Sequence, residues 1–304
     1  MNFAGPFDLG IYGAVNNWFI KLRGFATSVT TFIQMTGLMA MPLIAQACIQ
    51  YDGWRFGWVI IGTTVLFIGF LPNFLLMVRK PEDLDLLPDG DHQSLNGNDE
   101  NNTNLKNNKI PEPVFTRNEA LKTKAFWVLS VYTIFVFPVQ AGISLHQAPH
   151  LIERGIEPYI TATIVATFSL FSALSGMVFG LIVRKITIRF SLFSAALCLA
   201  FSSTIMIFIS VPWQGYLAAA FFGTGIGGIL TILPIAWADF FGRTSFGAIR
   251  GVALFFQVTA QASGPLMSGV LRDFSGDYYR SLIIFVVFSL SALFISLFAI
   301  PPKF

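Results

Sequence analysis

Apolar residues in this chain fall in long, nearly unbroken runs, not in the alternating or one-faced patterns of elements half-buried in a water-soluble domain. Eight runs come close to the roughly 20 residues that cross about 30 Å of hydrocarbon. They lie at 25–49, 57–78, 125–145, 159–183, 190–211, 214–241, 252–271 and 281–300. Each is predicted to be a helix, because an open strand would leave its peptide groups unpaired in lipid. The run at 214–241 is long enough to tilt or to extend past the hydrocarbon. Composition sharpens this picture: apolar residues make up 54% of the chain and charged residues only 12%, where soluble domains carry about 25% charged. A water-soluble enzyme is thereby excluded, and a lipid bilayer is the expected partner.

Charge supplies orientation. Of the 19 Lys and Arg, fifteen fall in the loops and ends on one side of the predicted spans, and only Arg55, Arg154, Arg272 and Arg280 on the other. Basic loops favour the cytoplasm, so both termini are expected there, in a multi-pass protein of the plasma (inner) membrane. Met1 to Phe19 has no basic n-region and carries Asp8, so no cleavable signal peptide is read. The net charge of +3 implies no polyanion-binding field, and no nucleic-acid partner is expected. Cys48 and Cys198 sit in different apolar runs, and packing accounts for both. Residues 79–124 form the one long loop, whose middle, Asp89 to Lys109, is crowded with Asn, Asp, Gly and Lys. It is expected to be a partly disordered cytoplasmic linker, and its sequon at Asn101-Asn102-Thr103 is read as chance.

An internal repeat divides the chain. Arg23-Gly24-Phe25-Ala26 opens the first run, and Arg250-Gly251-Val252-Ala253 opens the seventh, 227 residues later. At the same offset Gln34 meets Gln261 and Gly37 meets Gly264, and at an offset of 225 Asp52-Gly53-Trp54-Arg55 is echoed by Asp277-Tyr278-Tyr279-Arg280. Parallel repeats of this kind set two bundles about a pseudo-twofold axis along the membrane normal. Six runs follow the linker and two precede it, while residues 6–19 look like the end of one further helix. The expectation is a chain that begins inside the fourth helix of a twelve-helix protein. Residues 1–78 are then the remnant of an N-terminal six-helix half and 125–304 the C-terminal half, and poor stability is expected for the chain alone.

Several strings resemble the major facilitator superfamily, in the branch similar to monocarboxylate transporters and oxalate/formate antiporters. They are Asn17-Trp18-Phe19 with Arg23-Gly24, Arg79-Lys80-Pro81-Glu82-Asp83-Leu84, Leu87-Pro88-Asp89-Gly90, Pro149-His150-Leu151 with Gly155-Ile156, and Ala238 to Arg243 running on through Phe246-Gly247 to Ile249-Arg250-Gly251. The resemblance covers nearly the whole chain. It implies an all-α membrane bundle of eight complete transmembrane helices plus a partial one, equivalent to family helices four to twelve. It further implies alternating-access transport of a small organic solute, a carboxylate, with a proton or counter-anion as possible coupling ion. The family's loop signature departs here to Gly180-Leu181-Ile182-Val183-Arg184-Lys185-Ile186-Thr187-Ile188-Arg189, with Arg at the Asp position. A non-transporting membrane fragment or partner protein is the alternative.

Candidate residues follow from what is polar inside the runs. Gln34, Gln140, Gln257 and Gln261 each donate and accept hydrogen bonds, and Gln257 and Gln261 share a helix face. They are read as a substrate cavity or, blandly, as interhelical glue. Asp239 and Arg243, four apart on one predicted helix face, form a local ion pair or a cytoplasmic gate with Arg23 and Arg250. His146, His150 and Glu153 are read as a polar outer mouth. Pro149 is expected to disrupt the helix between the two histidines, and no metal site or cofactor is expected. The glycines at 223, 225, 227 and 228, and at 176 and 180, are read as close helix packing. No HExxH or Gly-x-Ser-x-Gly string supplies a hydrolytic centre, so no enzyme is expected.

Overall fold

The computed structural model describes residues 4–76, 78, 81–84, 86, 88–90, 113–183 and 185–302. Arg79, Lys80, Arg184, the sequon at Asn101 and nearly all of the expected disordered stretch lie outside these residues. Regular structure in the described residues is helical throughout. The helices are α1 (Ala4–Trp18), α2 (Arg23–Thr64), α3 (Leu71–Leu76), α4 (Arg117–Lys122), α5 (Lys124–Glu153), α6 (Pro158–Ile182), α7 (Ile188–Ile207), α8 (Pro212–Phe241), α9 (Phe246–Ser275) and α10 (Tyr279–Ser296).

Two predicted runs share α2, and the loop expected between them survives as a break inside it. Asp52 and Gly53 leave helical geometry, and Gly53 takes a φ of 81°, which a residue without a Cβ adopts at little cost. A π-helical turn, Val65–Phe70, joins α2 to α3. Pro72 follows directly and has no N–H to give the carbonyl one turn back, so the widened turn absorbs the mismatch.

Among the described residues, six helices are long and apolar enough to cross a membrane: Tyr51–Leu76, Lys124–Glu153, Pro158–Ile182, Ile188–Ile207, Pro212–Phe241 and Tyr279–Ser296. This is an integral, multi-pass, all-α membrane protein. The two other predicted runs, 25–49 and 252–271, are helical within α2 and α9 but are not among the six. In α9 the reason is visible: Arg250, Gln257, Thr259, Gln261, Ser263 and Ser268 lower its apolar character. The expectation that Pro149 would disrupt its helix is corrected. α5 runs through both Pro138 and Pro149, because the helix is held by its packing on α9, α10 and α6 and not by its own hydrogen bonds alone.

α8 is the centre of the bundle. It lies against α6 and α7, with α5 against α9, α10 against α7, and α2 against α6. Apolar side chains gain nothing by leaving lipid for a protein neighbour, so close approach of backbones must hold such a bundle. The glycines act as that reading expects: a Cβ at Gly227 would lie 2.1 Å from the Ser172 carbonyl oxygen of α6, and one at Gly225 2.9 Å from the Ala195 oxygen of α7. By contrast, Tyr51–Leu76 buries none of its most apolar stretch.

Candidate functional site

Polar groups gather in three places, ordered from one end of the bundle to the other. At the first, α2 begins and α8 ends. Arg23, 5% exposed, directs its Nη1 to the Asp239 Oδ1 at 2.6 Å, across 216 residues of sequence. Arg243 donates from Nη1 to the Asn17 carbonyl oxygen at 3.1 Å, and the Tyr12 hydroxyl to the Leu230 oxygen at 3.3 Å. One turn along α2 from Arg23, Thr27 is fully buried, and a turn further Thr31 accepts from the Thr231 hydroxyl of α8 at 3.2 Å. Segments before and after the linker therefore meet here over polar side chains. The reading of Asp239 and Arg243 on one helix face is corrected: α8 ends at Phe241, and Gly242 turns away with a φ of 77°.

The second place is the polar stripe of α9. Arg250, 1% exposed, donates from Nη2 to the Gln257 Oε1 at 2.5 Å, and its guanidinium stands over the Trp237 ring, 5.6 Å from the centroid. A turn on, the Gln261 amide donates to the Gln140 Oε1 of α5 at 3.2 Å. A close backbone approach makes this possible, since a Cβ at Gly264 would lie 2.1 Å from the Pro138 carbonyl oxygen. Gln34 joins neither pair, and its Oε1 is buried with no partner among the described residues.

The third place is the opposite end. His146 Nε2 faces the Pro265 carbonyl oxygen at 3.1 Å and therefore carries the proton, which leaves Nδ1 to accept from the Tyr278 hydroxyl at 3.2 Å. His150 Nε2 donates to the Met206 oxygen at 2.8 Å, and both imidazoles pack on the Tyr278 ring. Glu153 takes two bonds from Arg272, at 3.1 and 2.7 Å, and holds that guanidinium above its ordinary pKa. Burial, and then Glu153, push the Tyr278 hydroxyl up. Each imidazole is engaged with protein groups, and no set of metal-ligating side chains converges among the described residues.

Residues 2–265 match the sequence profile of the Major Facilitator Superfamily. The chain belongs to that superfamily. It is 26% identical over 245 residues to the membrane sensor protein UhpC of Salmonella typhimurium, covering 76% of this chain and 53% of that one. It is 20% identical to monocarboxylate transporter 12 of Rattus norvegicus over 292 residues, covering 89% of this chain and 58% of that one. The mouse protein of the same name matches at 19% identity. The chain spans about half the length of the curated relatives it matches.

Set within this superfamily, two structural residues escaped the sequence reading. Tyr278 entered only as part of a repeat echo, although it sits between both histidines. Asp89, in the Pro88-Asp89-Gly90 string, accepts from three successive backbone N–H groups, those of Ile20, Lys21 and Leu22. An acidic residue before glycine is a turn signal with a carboxylate to spend on backbone donors. Nothing local tells which donors, 67 to 69 residues away.

Proposed function

We propose that the chain works as a secondary active transporter of a small organic solute, a carboxylate, by alternating access between two membrane halves. Eight complete transmembrane helices and a partial ninth, with both termini in the cytoplasm of the plasma or inner membrane, are the arrangement this reading takes. The observation that carries it is the Arg23–Asp239 contact. An ion pair joining segments on either side of the linker, half-open to water at Asp239, is a contact that can break and re-form without unfolding either half. It serves as the cytoplasmic gate, with Arg243 and Arg250 around it. Gln140, Gln257 and Gln261 offer donors and acceptors to a solute along α9, and Gln34 stands at the repeat-related position on α2. His146, His150 and Glu153 form the outer mouth. The carboxylate class rests on superfamily membership and on the relatives named monocarboxylate transporters, and a proton or counter-anion as coupling ion belongs to the same reading.

Uptake of a labelled short-chain monocarboxylate by proteoliposomes tests this. Saturable uptake is expected, weakened by Gln34→Ala and by Gln261→Ala. No uptake, or uptake indifferent to both substitutions, overturns it. The relative named a membrane sensor favours a second reading, in which the chain binds a solute and signals to a partner. Solute-dependent protection of a cysteine at Thr27 without any uptake would select that alternative.

A further inference from the structure

We infer that Asp89 is a positioning residue for the cytoplasmic gate, acting through Arg23; this rests on the gate reading above. The geometry is dense. The Asp89 Oδ1 accepts from Ile20 at 3.1 Å and Leu22 at 3.0 Å, and its Oδ2 from Lys21 at 2.7 Å and Ile20 at 3.1 Å. One carboxylate thus collects three of the four N–H groups of the turn that links α1 to α2, that of Phe19 going back to the Val15 oxygen, and the next residue after Leu22 is Arg23. Asp89 itself lies in the left-handed region, φ 65°, a conformation that aspartate tolerates better than most side chains. A second tie runs beside it, from the Trp18 indole N–H to the Val78 carbonyl oxygen at 3.0 Å.

Three backbone donors on one anion fix the turn as a unit, because bonds to an ionised acceptor are about twice as strong as neutral ones. Without them the turn loses the bonds that tie these three amides to Asp89, and the Arg23 guanidinium loses its fixed approach to Asp239. The negative charge also lies beside Lys21 and Arg23, so it eases the crowding of cations at the start of α2. Asp89 touches neither Asp239 nor the polar stripe of α9. Its effect on the gate is therefore indirect, and it passes through the backbone of the turn.

The test uses the chain in nanodiscs, where both faces are open to reagent, with Cys48→Ser and Cys198→Ala and a reporter at Thr27→Cys. Thr27 is fully buried one turn beyond Arg23, so an impermeant thiol reagent reaches it only when the gate opens. Arg23→Gln should raise the labelling rate about tenfold, and Asp89→Asn should do the same. The double variant should label no faster than Arg23→Gln alone. If Arg23→Gln leaves labelling unchanged, the gate reading fails and the inference with it. If Arg23→Gln speeds labelling but Asp89→Asn does not, or if the two effects multiply, the gate stands and the role of Asp89 falls. Asn keeps the left-handed turn, but should Asp89→Asn fail to fold, hydrogen exchange on the unsubstituted chain decides. Slow exchange at Ile20, Lys21 and Leu22 is expected, and exchange at the free-coil rate overturns the inference.

Discussion

Gly264 has no room for a side chain: its Cβ would lie 2.1 Å from the Pro138 oxygen and 2.7 Å from the Pro138 Cα, both backbone atoms that cannot step aside. Gly264→Ala must push α9 off α5, and overpacking of this kind costs about 1–3 kcal/mol. The Gln261–Gln140 bond lies one turn away and should lengthen or break with it. Gly247, at the start of the same helix, has nothing within 4 Å of its would-be Cβ, so Gly247→Ala should be neutral or slightly stabilising. Thermal melting of the two variants in the same detergent checks the contrast, and equal melting temperatures would remove the close-approach argument. Tyr278→Phe acts differently, because it leaves the His146 Nδ1 without its donor while the ring packing on both histidines stays. The expected loss is about 1 kcal/mol, the net value of one hydrogen bond. A His146→Phe/Tyr278→Phe double variant should lose less than the sum of the singles, since neither polar group is then left waiting for the other.

At the scale of elements, short α4 shows how a local signal sets a helix start. Thr116 accepts from the Glu119 N–H, and Glu119 returns a bond to the Thr116 N–H at 2.8 Å, a reciprocal cap. The Thr116 backbone N–H on the carboxylate, and after it the Thr116 side chain, hold the Glu119 carboxyl below its ordinary pKa of 4.5. A lowered folded-state value stabilises the ionised form, so the cap is fully present above pH 4.5 and is lost as pH falls through the folded value. Exchange protection of the Thr116 amide, corrected for the intrinsic rate, should fall on acidification, and Glu119→Gln should show no such fall. The cap is legible in sequence because all its partners lie within four residues. So are the helices, since lipid demands unbroken apolar length, and the Asp52-Gly53 break, since glycine there announces itself. Continuity through Pro149 is not, because what holds α5 together is its neighbours. The partners of Asp239, Asp89 and His146 are illegible for the same reason: periodicity encodes which face is buried, but not which distant residue meets it.

Across the whole molecule, a packed seam and an ion pair are among the contacts that join the segments before and after the linker, and their magnitudes differ. The seam of α2 on α6 is built from small residues: a Cβ at Gly180 would lie 2.3 Å from the Ser28 Cβ and 2.6 Å from the Gly24 oxygen, and one at Gly176 3.0 Å from the Thr31 methyl. The Arg23–Asp239 pair sits beside that seam with the Asp239 side chain 45% exposed, where an ion pair contributes about 1 kcal/mol or less. Packing therefore supplies the adhesion, and the ion pair supplies registry at small cost, which suits a contact made to open. Gly180→Val should wedge the seam at about 1–3 kcal/mol, while Arg23→Asp should weaken it far less. The decisive comparison is the charge swap. Arg23→Asp and Asp239→Arg each place like charges together and should speed labelling of a cysteine at Thr27, whereas the combined variant restores attraction and should return labelling close to the original rate. No charge swap can relieve the backbone collision in Gly180→Val, so that variant should stay open in either background. If the swapped pair labels as fast as the singles, Arg23 and Asp239 do not act on each other, and the ion pair has no part in joining the two segments.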